Sequence, residues 1–316
     1  MQFTTAIPIQ KSNFPIDYNS KIVSLGSCFA EHIGAKLAYY KFQTTTNPFG
    51  ILFSAVAIEK LLERVIHKAV FTEKDIFYHN ELWHCFEVHS DCSHPDKAIF
   101  LNNLNRLLED CFQQIQQATH FMITYGTSWV YKNIEDNQIV ANCHKIPQKQ
   151  FSKMLLSSEA NVKAIENTIA LLTSVNKKSH FIFTVSPVRH IKDGYFENNV
   201  SKSHLLAAIY QVISNQDDKS IYFPSYEIMI DELRDYRFYA EDLLHPNATA
   251  IAYIWERFIA NYASEATFST LQKIEVIQKG LAHRPFNSDT NQHQEFVVQL
   301  QNKILELQKQ LPHIIF

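Results

Sequence analysis

Short apolar runs alternate along the chain with longer amphipathic stretches. Three runs are almost wholly apolar, at residues 21–25 (KIVSL), 121–125 (FMITY) and 180–185 (HFIFTV). Continuous apolar strands are typical of a parallel sheet that is covered on both faces. After the first run, Phe29, Ile33 and Leu37 recur at steps of four, the period of a helix with one buried face. The pattern predicts an α/β fold, a three-layer α/β/α sandwich with a mainly parallel, flavodoxin-like sheet over about residues 15–265.

The pattern of apolar and polar residues predicts the other strands and helices of the sandwich. It predicts further strands at residues 81–88 and 220–223, a hairpin of 127–131 with 138–143, and helices at 52–70, 96–117, 151–176, 202–214 and 247–263. Right-handed crossovers bring the ends of parallel strands to one edge of the sheet. Ligands usually bind at that edge, so we expect the functional residues there.

Residues 266–316 differ from the rest because they are polar and rich in glutamine. We therefore expect two units, a domain at 1–265 and a helical extension at 266–316. An apolar stripe in the extension has helical spacing: Phe296, Val297, Leu300, Ile304, Leu307 and Leu311. Such a stripe fits a helix folded back on the core or a coil that pairs between chains. A homo-oligomer through this helix is the expectation in the second case.

Composition excludes several classes of function. The 29 Lys and Arg residues are balanced by 32 Asp and Glu residues, which leaves no basic excess for a nucleic-acid binder. No run of 18 apolar residues and no secretory signal occur, so we expect a cytoplasmic protein without a membrane span. Five cysteines without a CxxC pair, and histidines without an HExxH motif, argue against disulfides and zinc. We expect neither a metal nor a cofactor.

The turn after the first apolar run is the first candidate for chemistry. Ser27 would lie at a helix N-terminus, where free backbone N–H groups and the helix dipole favour an oxyanion. Gly26 would let the chain turn sharply. In the alternative reading Ser27 only caps the helix. Cys28 is an alternative nucleophile, because a thiol at a helix N-terminus can have a lowered pKa.

The second candidate is the run from Asp242 to Asn247, which reads DLLHPN. Asp242 and His245, three residues apart, can meet on one turn, so that the carboxylate holds one imidazole nitrogen. The other nitrogen is then free to take a proton from a serine. Asn247 can cap the following helix. A local turn pair without catalytic function is the alternative.

A serine after the first strand and an Asp-x-x-His before the last core helix is the arrangement of the SGNH, or GDSL-like, hydrolases. The chain closely resembles the GSCFA-domain branch of that superfamily over roughly residues 20–265. The resemblance is carried by residues 26–30 (GSCFA), 47–50 (NPFG), 125–131 (YGTSWVY), 142–145 (NCHK), 186–190 (SPVRH) and 242–247 (DLLHPN).

The resemblance implies a hydrolase with Ser27 as nucleophile, His245 as general base and Asp242 as the residue that orients it. It also implies an oxyanion hole made of the Ser27 N–H, a glycine N–H that Gly50 matches, and an asparagine side chain. The asparagine is where the chain departs from the superfamily. The Gly-x-Asn-Asp pattern is replaced by residues 126–129, GTSW. Substitute donors are the hydroxyl of Thr127 and the side chain of Asn142.

Three more residues are candidates for substrate binding. Arg189 and His190 follow the third apolar strand, and an arginine fork can bind a carboxylate or phosphate. An anionic group or a carbohydrate would fit there, whereas pairing of Arg189 with Asp193 or Glu197 is the alternative. His144 lies next to Asn142 and is either a site residue or a structural histidine.

These observations favour a serine esterase-type hydrolase that acts on a small-molecule or carbohydrate ester. Removal of acetyl groups from carbohydrates is implied by the resemblance, because the superfamily often carries out that reaction. Two alternatives stay open. One is a non-catalytic module that binds a ligand or partner, and the other is an acyltransferase that uses the same triad.

Overall fold

A computed structural model describes residues 4–215 and 218–316 of the chain. The strands are β1 (Lys21–Gly26), β2 (Gln43–Thr46), β3 (Phe77–His79), β4 (Leu82–His84), β5 (His120–Tyr125), β6 (Trp129–Asn133), β7 (Ile139–Val140), β8 (Phe151–Leu155), β9 (His180–Val185) and β10 (Ser220–Tyr222). The helices are α1 (Cys28–Tyr39), α2 (Ala55–Ile66), α3 (Lys97–Gln117), α4 (Ser158–Val175), α5 (Tyr195–Asn215), α6 (Ser225–Glu227), α7 (Ala248–Tyr262), α8 (Thr267–Ala282) and α9 (Asn291–Gln310).

Five of these strands form a parallel sheet in the order β10-β9-β5-β1-β2. Numbered along the chain, the sheet strands follow the order 2-1-3-4-5, which is the order of doubly wound flavodoxin-like sheets. Gly26 at the end of β1 pairs with Thr124 of β5, and Tyr125 pairs with Val185 at the end of β9. The residues that follow β1, β5 and β9 therefore meet at one edge of the sheet.

The core has two parts, one on each face of the sheet. On β5, Phe121 and Ile123 face the cluster that includes residues of α2 to α5, whereas Met122 faces the cluster with α1 and α7. All three are buried, which explains why the strands are continuous apolar runs. The predicted three-layer α/β sandwich is confirmed.

Three local predictions need correction. Residues 151–155 are strand β8 and not the start of a helix, since side chains alternate between buried and exposed there and Ser157 caps α4. The strand predicted at 81–88 is confined to β4, which pairs with β3 in a tight hairpin. Strand β2 was not predicted, because its sequence QTTT has no apolar run.

The extension beyond residue 265 folds back on the domain. Helices α8 and α9 contact each other, and Ile274, Leu300 and Leu307 are buried in the same cluster as α1 and α7. Gln278 of α8 also donates to the main-chain oxygen of Tyr39 at 2.7 Å. Part of the predicted apolar stripe is thus covered within the chain. Among the described helices, none is both long enough and apolar enough to span a membrane.

Candidate functional site

The serine turn, residues 26–28, is tied into the sheet. Gly26 has a φ of +133°, and a Cβ at this position would lie 2.1 Å from the main-chain oxygen of Thr124. Only glycine fits there. The side chain of Asn47 accepts the Gly26 N–H at 2.8 Å, so the NPFG segment braces the turn. The NPFG motif is visible in the sequence, but no local pattern assigns this role to Asn47.

Ser27 caps α1 and is fully buried. Its Oγ accepts the Phe29 N–H at 3.3 Å, and its own N–H donates to the oxygen of Thr124 at 3.0 Å. The Gly50 N–H is engaged as well, because it donates to Asn47 O at 2.8 Å. Both N–H groups that were expected to bind an oxyanion therefore donate within the fold. The N–H of Cys28 makes no hydrogen bond with any other residue that the structure describes.

Cys28 itself is a poor candidate for the nucleophile. Burial raises the pKa of its thiol, and the nearby positive charge of Lys202 opposes this effect without cancelling it. A raised pKa keeps the thiol protonated and weakly nucleophilic near neutral pH.

The dyad turn, residues 242–245, brings Asp242 and His245 together. Asp242 Oδ2 lies 2.6 Å from His245 Nδ1, and Asp242 Oδ1 accepts the N–H groups of His245 at 3.0 Å and Leu244 at 2.9 Å. These backbone donors, and then the imidazole, hold the pKa of Asp242 at about 2. An ionised Asp242 places the proton on Nδ1, which leaves Nε2 as a base. Asn247 caps α7 through the Ala250 N–H, as expected.

The two turns lie near each other but are not bonded. Within residues 4–215 and 218–316, no hydrogen bond joins Ser27 to His245. Burial and then the charge of His245 lower the pKa of His32, which lies on α1 little more than one turn after Ser27. The dyad turn is therefore beside the N-terminal half of α1. The Arg189 N–H donates to Leu244 O at 3.2 Å and ties the loop after β9 to the dyad turn.

Arg189 does not pair with Asp193 or Glu197, the alternative that the sequence left open. Its guanidinium carbon lies 4.3 Å from the ring centre of Tyr239 and 5.4 Å from that of Tyr236. Asp193 instead pairs with Lys153. No salt bridge of the described residues includes Arg189. Its charge thus remains available for an anion close to the dyad turn.

A cavity of about 340 Å³ opens beside the ends of β5 and β9. It brings together the predicted candidates Thr127, Asn142 and His190. The other predicted site residues do not line it: Ser27, Gly50, His144, Arg189, Asp242 and His245. Its other walls include Phe53, Ser54, Trp129, Tyr131, Cys143, Lys153 and Asp193. A volume of this size is at the lower end of small-molecule sites.

Two substitutes for the missing asparagine face this cavity. Thr127 Oγ1 accepts the Trp129 N–H at 3.0 Å and shares a hydrogen bond of 2.9 Å with Ser201 Oγ. Asn142 Oδ1 accepts the His144 N–H at 2.8 Å. The amide nitrogen of Asn142 donates to no other described residue, so it is free to donate into the cavity.

The two candidate histidines differ in their partners. His144 uses both ring nitrogens, with Ser90 Oγ at 3.0 Å and Cys85 O at 2.7 Å, and burial lowers its pKa to about 4. It positions the hairpin that carries Asn142. The buried Nε2 of His190 has no partner among the described residues. Burial, followed by the charges of Lys202 and His245, lowers the pKa of His190 to about 3.

Lys202 was missed by sequence reasoning. It lies on α5 and is 1% exposed, in a helix whose sequence gives no sign of a buried charge. Within the described parts of the chain, no group of three or more His, Cys, Asp or Glu residues could hold a metal ion.

Comparison with known proteins adds the family. A profile described as "GSCFA family" matches residues 21–258, and one described as "GSCFA domain protein, C-terminal domain" matches residues 274–316. No curated protein matches the chain. A carbohydrate esterase family 3 from Talaromyces cellulolyticus is similar in structure, with a TM-score of 0.38, 6% identity, and coverage of 81% of this chain and 99% of that one. An acetyl esterase mutant with acetate ion has a TM-score of 0.36 and 7% identity, over 82% and 99% of the two chains.

Proposed function

The chain belongs to the GSCFA family, and we propose that it is a serine esterase of the SGNH type that uses Ser27, His245 and Asp242. The observation that carries the proposal is the bond of 2.6 Å between Asp242 and His245. It holds Nδ1 of the imidazole against the carboxylate and leaves Nε2 without a partner among the described residues, on a half-exposed side chain beside the helix that Ser27 caps. This is the arrangement that a general base for a serine needs.

In the proposed reaction His245 Nε2 takes the proton of Ser27 Oγ as the oxygen attacks the ester carbonyl carbon. We assign the stabilisation of the tetrahedral oxyanion to the N–H of Cys28, which donates to no other described residue, and to the side chain of Asn142 or Thr127. His245 then gives its proton to the leaving alcohol. Water, deprotonated by His245, then attacks the acyl carbon, and His245 returns the proton to Ser27 Oγ as the bond to the acyl group breaks. Asp242 stays ionised and holds the imidazolium throughout.

Ser27 must change its rotamer for this reaction. In the structure its Oγ caps α1 and points to the Phe29 N–H. Turning toward His245 gives up that bond, which costs about 1 kcal/mol for a serine cap. Catalytic hydrogen bonds commonly tighten only when substrate is bound.

The lining of the cavity favours a substrate whose alcohol part is small and contains a ring, such as an acetylated carbohydrate. Trp129 and Tyr131 offer aromatic walls, and Asn142 and Thr127 offer polar groups. Sites of this kind combine apolar surface with a few orienting polar groups. Arg189, next to the dyad turn, would accommodate an anionic substituent of the substrate.

Labelling with a fluorophosphonate probe tests the nucleophile. We expect the wild type to be labelled and Ser27→Ala to be unlabelled. Ser54→Ala is the matched control, because Ser54, like Ser27, caps a helix and is buried. Both variants lose a helix cap that contributes a similar amount of stability, so they differ only in whether the proposed nucleophile is present. Label retained in Ser27→Ala would refute the assignment.

A ligand-binding module without catalysis is the second candidate. It is favoured by the burial of Ser27 and by the engaged N–H groups of Ser27 and Gly50. It predicts an unlabelled wild type that still binds an acetylated sugar. An acyltransferase would be labelled like an esterase, and would pass the acyl group to an added sugar in preference to water.

A further inference from the structure

Lys202 joins the ends of two neighbouring strands of the sheet. Its Nζ donates to Gly126 O at 2.7 Å and to Ser186 O at 2.6 Å. Gly126 directly follows β5, and Ser186 directly follows β9. The segments that begin there carry Thr127, Arg189 and His190. One side chain therefore fixes the start of both segments that contribute to the candidate site.

The ammonium of Lys202 has no acidic partner among the described residues. Its titratable neighbours on the surrounding elements are Cys28 on α1, His190 after β9, and Tyr226 on α6, whose ring centre is 5.7 Å away. Burial of a charge without a counter-ion is expensive. An apolar side chain would fill the same space without that cost, so the charge calls for a reason beyond packing.

Its position at the edge of the sheet supplies a reason. Lys202 Nζ is bonded to Gly126 O, two residues after Thr124, whose main-chain oxygen accepts the Ser27 N–H. The charge of Lys202 also acts to lower the pKa of the thiol of Cys28, the residue after Ser27. A positive charge that favours a thiolate at Cys28 also favours an oxyanion that forms beside Ser27, particularly where solvent is excluded. The chain lacks the asparagine donor of the superfamily pattern, and a positive charge at this place would compensate for it.

We propose that Lys202 is a positioning residue of the candidate site, whose buried ammonium holds the segments after β5 and β9 and presents its charge to the oxyanion beside Ser27. The inference rests on the proposed function. Its two parts, the hold on the segments and the effect of the charge, can be measured separately.

The neighbouring Ser201 supports the hold on the first segment. Ser201 Oγ accepts the Ser128 N–H at 2.7 Å, and the one acceptor near its own hydroxyl within the described structure is Thr127 Oγ1. Ser201 is buried, and leaving its hydrogen unpaired would be costly. If Ser201 donates to Thr127, the Thr127 hydrogen is free to point into the cavity. Helix α5 thus orients a donor while Lys202 holds the backbone beside it.

Lys202→Met tests the inference, because it keeps most of the length of the side chain and removes both the donors and the charge. Leu205→Ala is the control, since Leu205 is buried on the same helix and its truncation destabilises the protein without removing a hydrogen bond to the two segments. We expect faster amide hydrogen exchange at residues 126–128 and 186–190 in Lys202→Met only. We also expect its fluorophosphonate labelling to slow by about 10²-fold, in the range for loss of one oxyanion donor.

The pH dependence of the labelling rate distinguishes the effect of the Lys202 charge from the effect of its packing. Burial lowers the pKa of Lys202 to about 7. The labelling rate of the wild type should therefore decline at alkaline pH as the ammonium loses its proton. Lys202→Met should lack this alkaline limb, whereas a purely structural defect would lower the rate at every pH. If Lys202→Met does not fold, Lys202→Gln retains an N–H donor group without the charge and should lose the decline at alkaline pH in the same way.

The outcomes are distinct. Unchanged exchange at both segments, or an alkaline limb that persists in Lys202→Met, would overturn the inference. If the wild type is not labelled at all, the proposed function fails, and hydrogen exchange alone then decides whether Lys202 holds the segments. Slower labelling in Leu205→Ala by the same factor would assign the effect to general destabilisation and would also overturn the inference.

Discussion

The serine turn and the dyad turn carry the two halves of one proposed reaction in opposite surroundings. Ser27 is fully buried and its backbone is bonded to β5, whereas the side chains of Asp242 and His245 are 45% and 41% exposed. The serine turn is part of the sheet, so its residues serve folding as well as chemistry. The dyad turn contributes little to the core. The difference predicts that substitutions in the serine turn lower the stability of the fold. Substitutions in the dyad turn should lower activity and leave stability unchanged.

The largest effect is expected for Gly26→Ala. The substitution places a Cβ 2.1 Å from Thr124 O at a φ of +133°. Both the steric clash and the unfavourable φ involve main-chain atoms that are held in the sheet and cannot move aside. We expect a loss of more than about 4 kcal/mol in the free energy of unfolding, measured with urea. Gly280→Ala is the control, because there a Cβ meets only the flexible end of Leu300. Equal free energies of unfolding for the two variants would contradict the conclusion that the serine turn is tightly built into the sheet.

The next effect is expected for His245→Ala. Loss of the general base should slow fluorophosphonate labelling by about 10³-fold. Because the side chain is half exposed, the melting temperature should stay within about 2 °C of the wild type. Asp242→Asn should likewise lose activity without losing stability, and its labelling rate should fall by a smaller factor. His32→Gln, beside His245, is the control and should label like the wild type. A loss of stability in His245→Ala as large as its loss of activity would contradict the comparison.

The smallest effect near neutral pH is expected from the buried histidines around the site. The pKa of His144 is lowered to about 4 and that of His190 to about 3. The unfolded chain binds protons on these residues near pH 6.5, whereas the folded chain does not. Stability should therefore fall as the pH is lowered from 7 toward 4, by at most about 1.4 kcal/mol per pH unit for each histidine. Unfolding free energies measured at pH 7, 6 and 5 should show a smaller slope in His144→Gln. An identical slope would mean that His144 is not held neutral by burial.

Much of the fold could be predicted because its signals are local. Buried parallel strands are continuous apolar runs, and β1, β5 and β9 were predicted from them. Strand β2 has no such run because it lies at the edge of the sheet. Strand β8 was merged with the helix after it, because alternation over five residues is a weak signal next to a helix of 18 residues.

The candidate site was only partly predictable. The pairing of Asp242 with His245 depends on three residues of spacing and is visible in the sequence. The engagement of the Ser27 N–H depends on the register between β1 and β5, which no local pattern reveals. Lys202 could not be identified because its partners are main-chain oxygens 76 and 16 residues away. Backbone acceptors of this kind leave no signature in side-chain identity.

A crystal structure of the protein after reaction with a fluorophosphonate tests the central claim most directly. The claim is that the serine turn and the dyad turn act on one ester group. We predict a phosphorus–oxygen bond at Ser27 Oγ, with His245 Nε2 within about 3.2 Å of an oxygen on that phosphorus. An adduct on any other residue, or Ser27 still unreacted and bonded to the Phe29 N–H while the probe is bound elsewhere, would contradict the account.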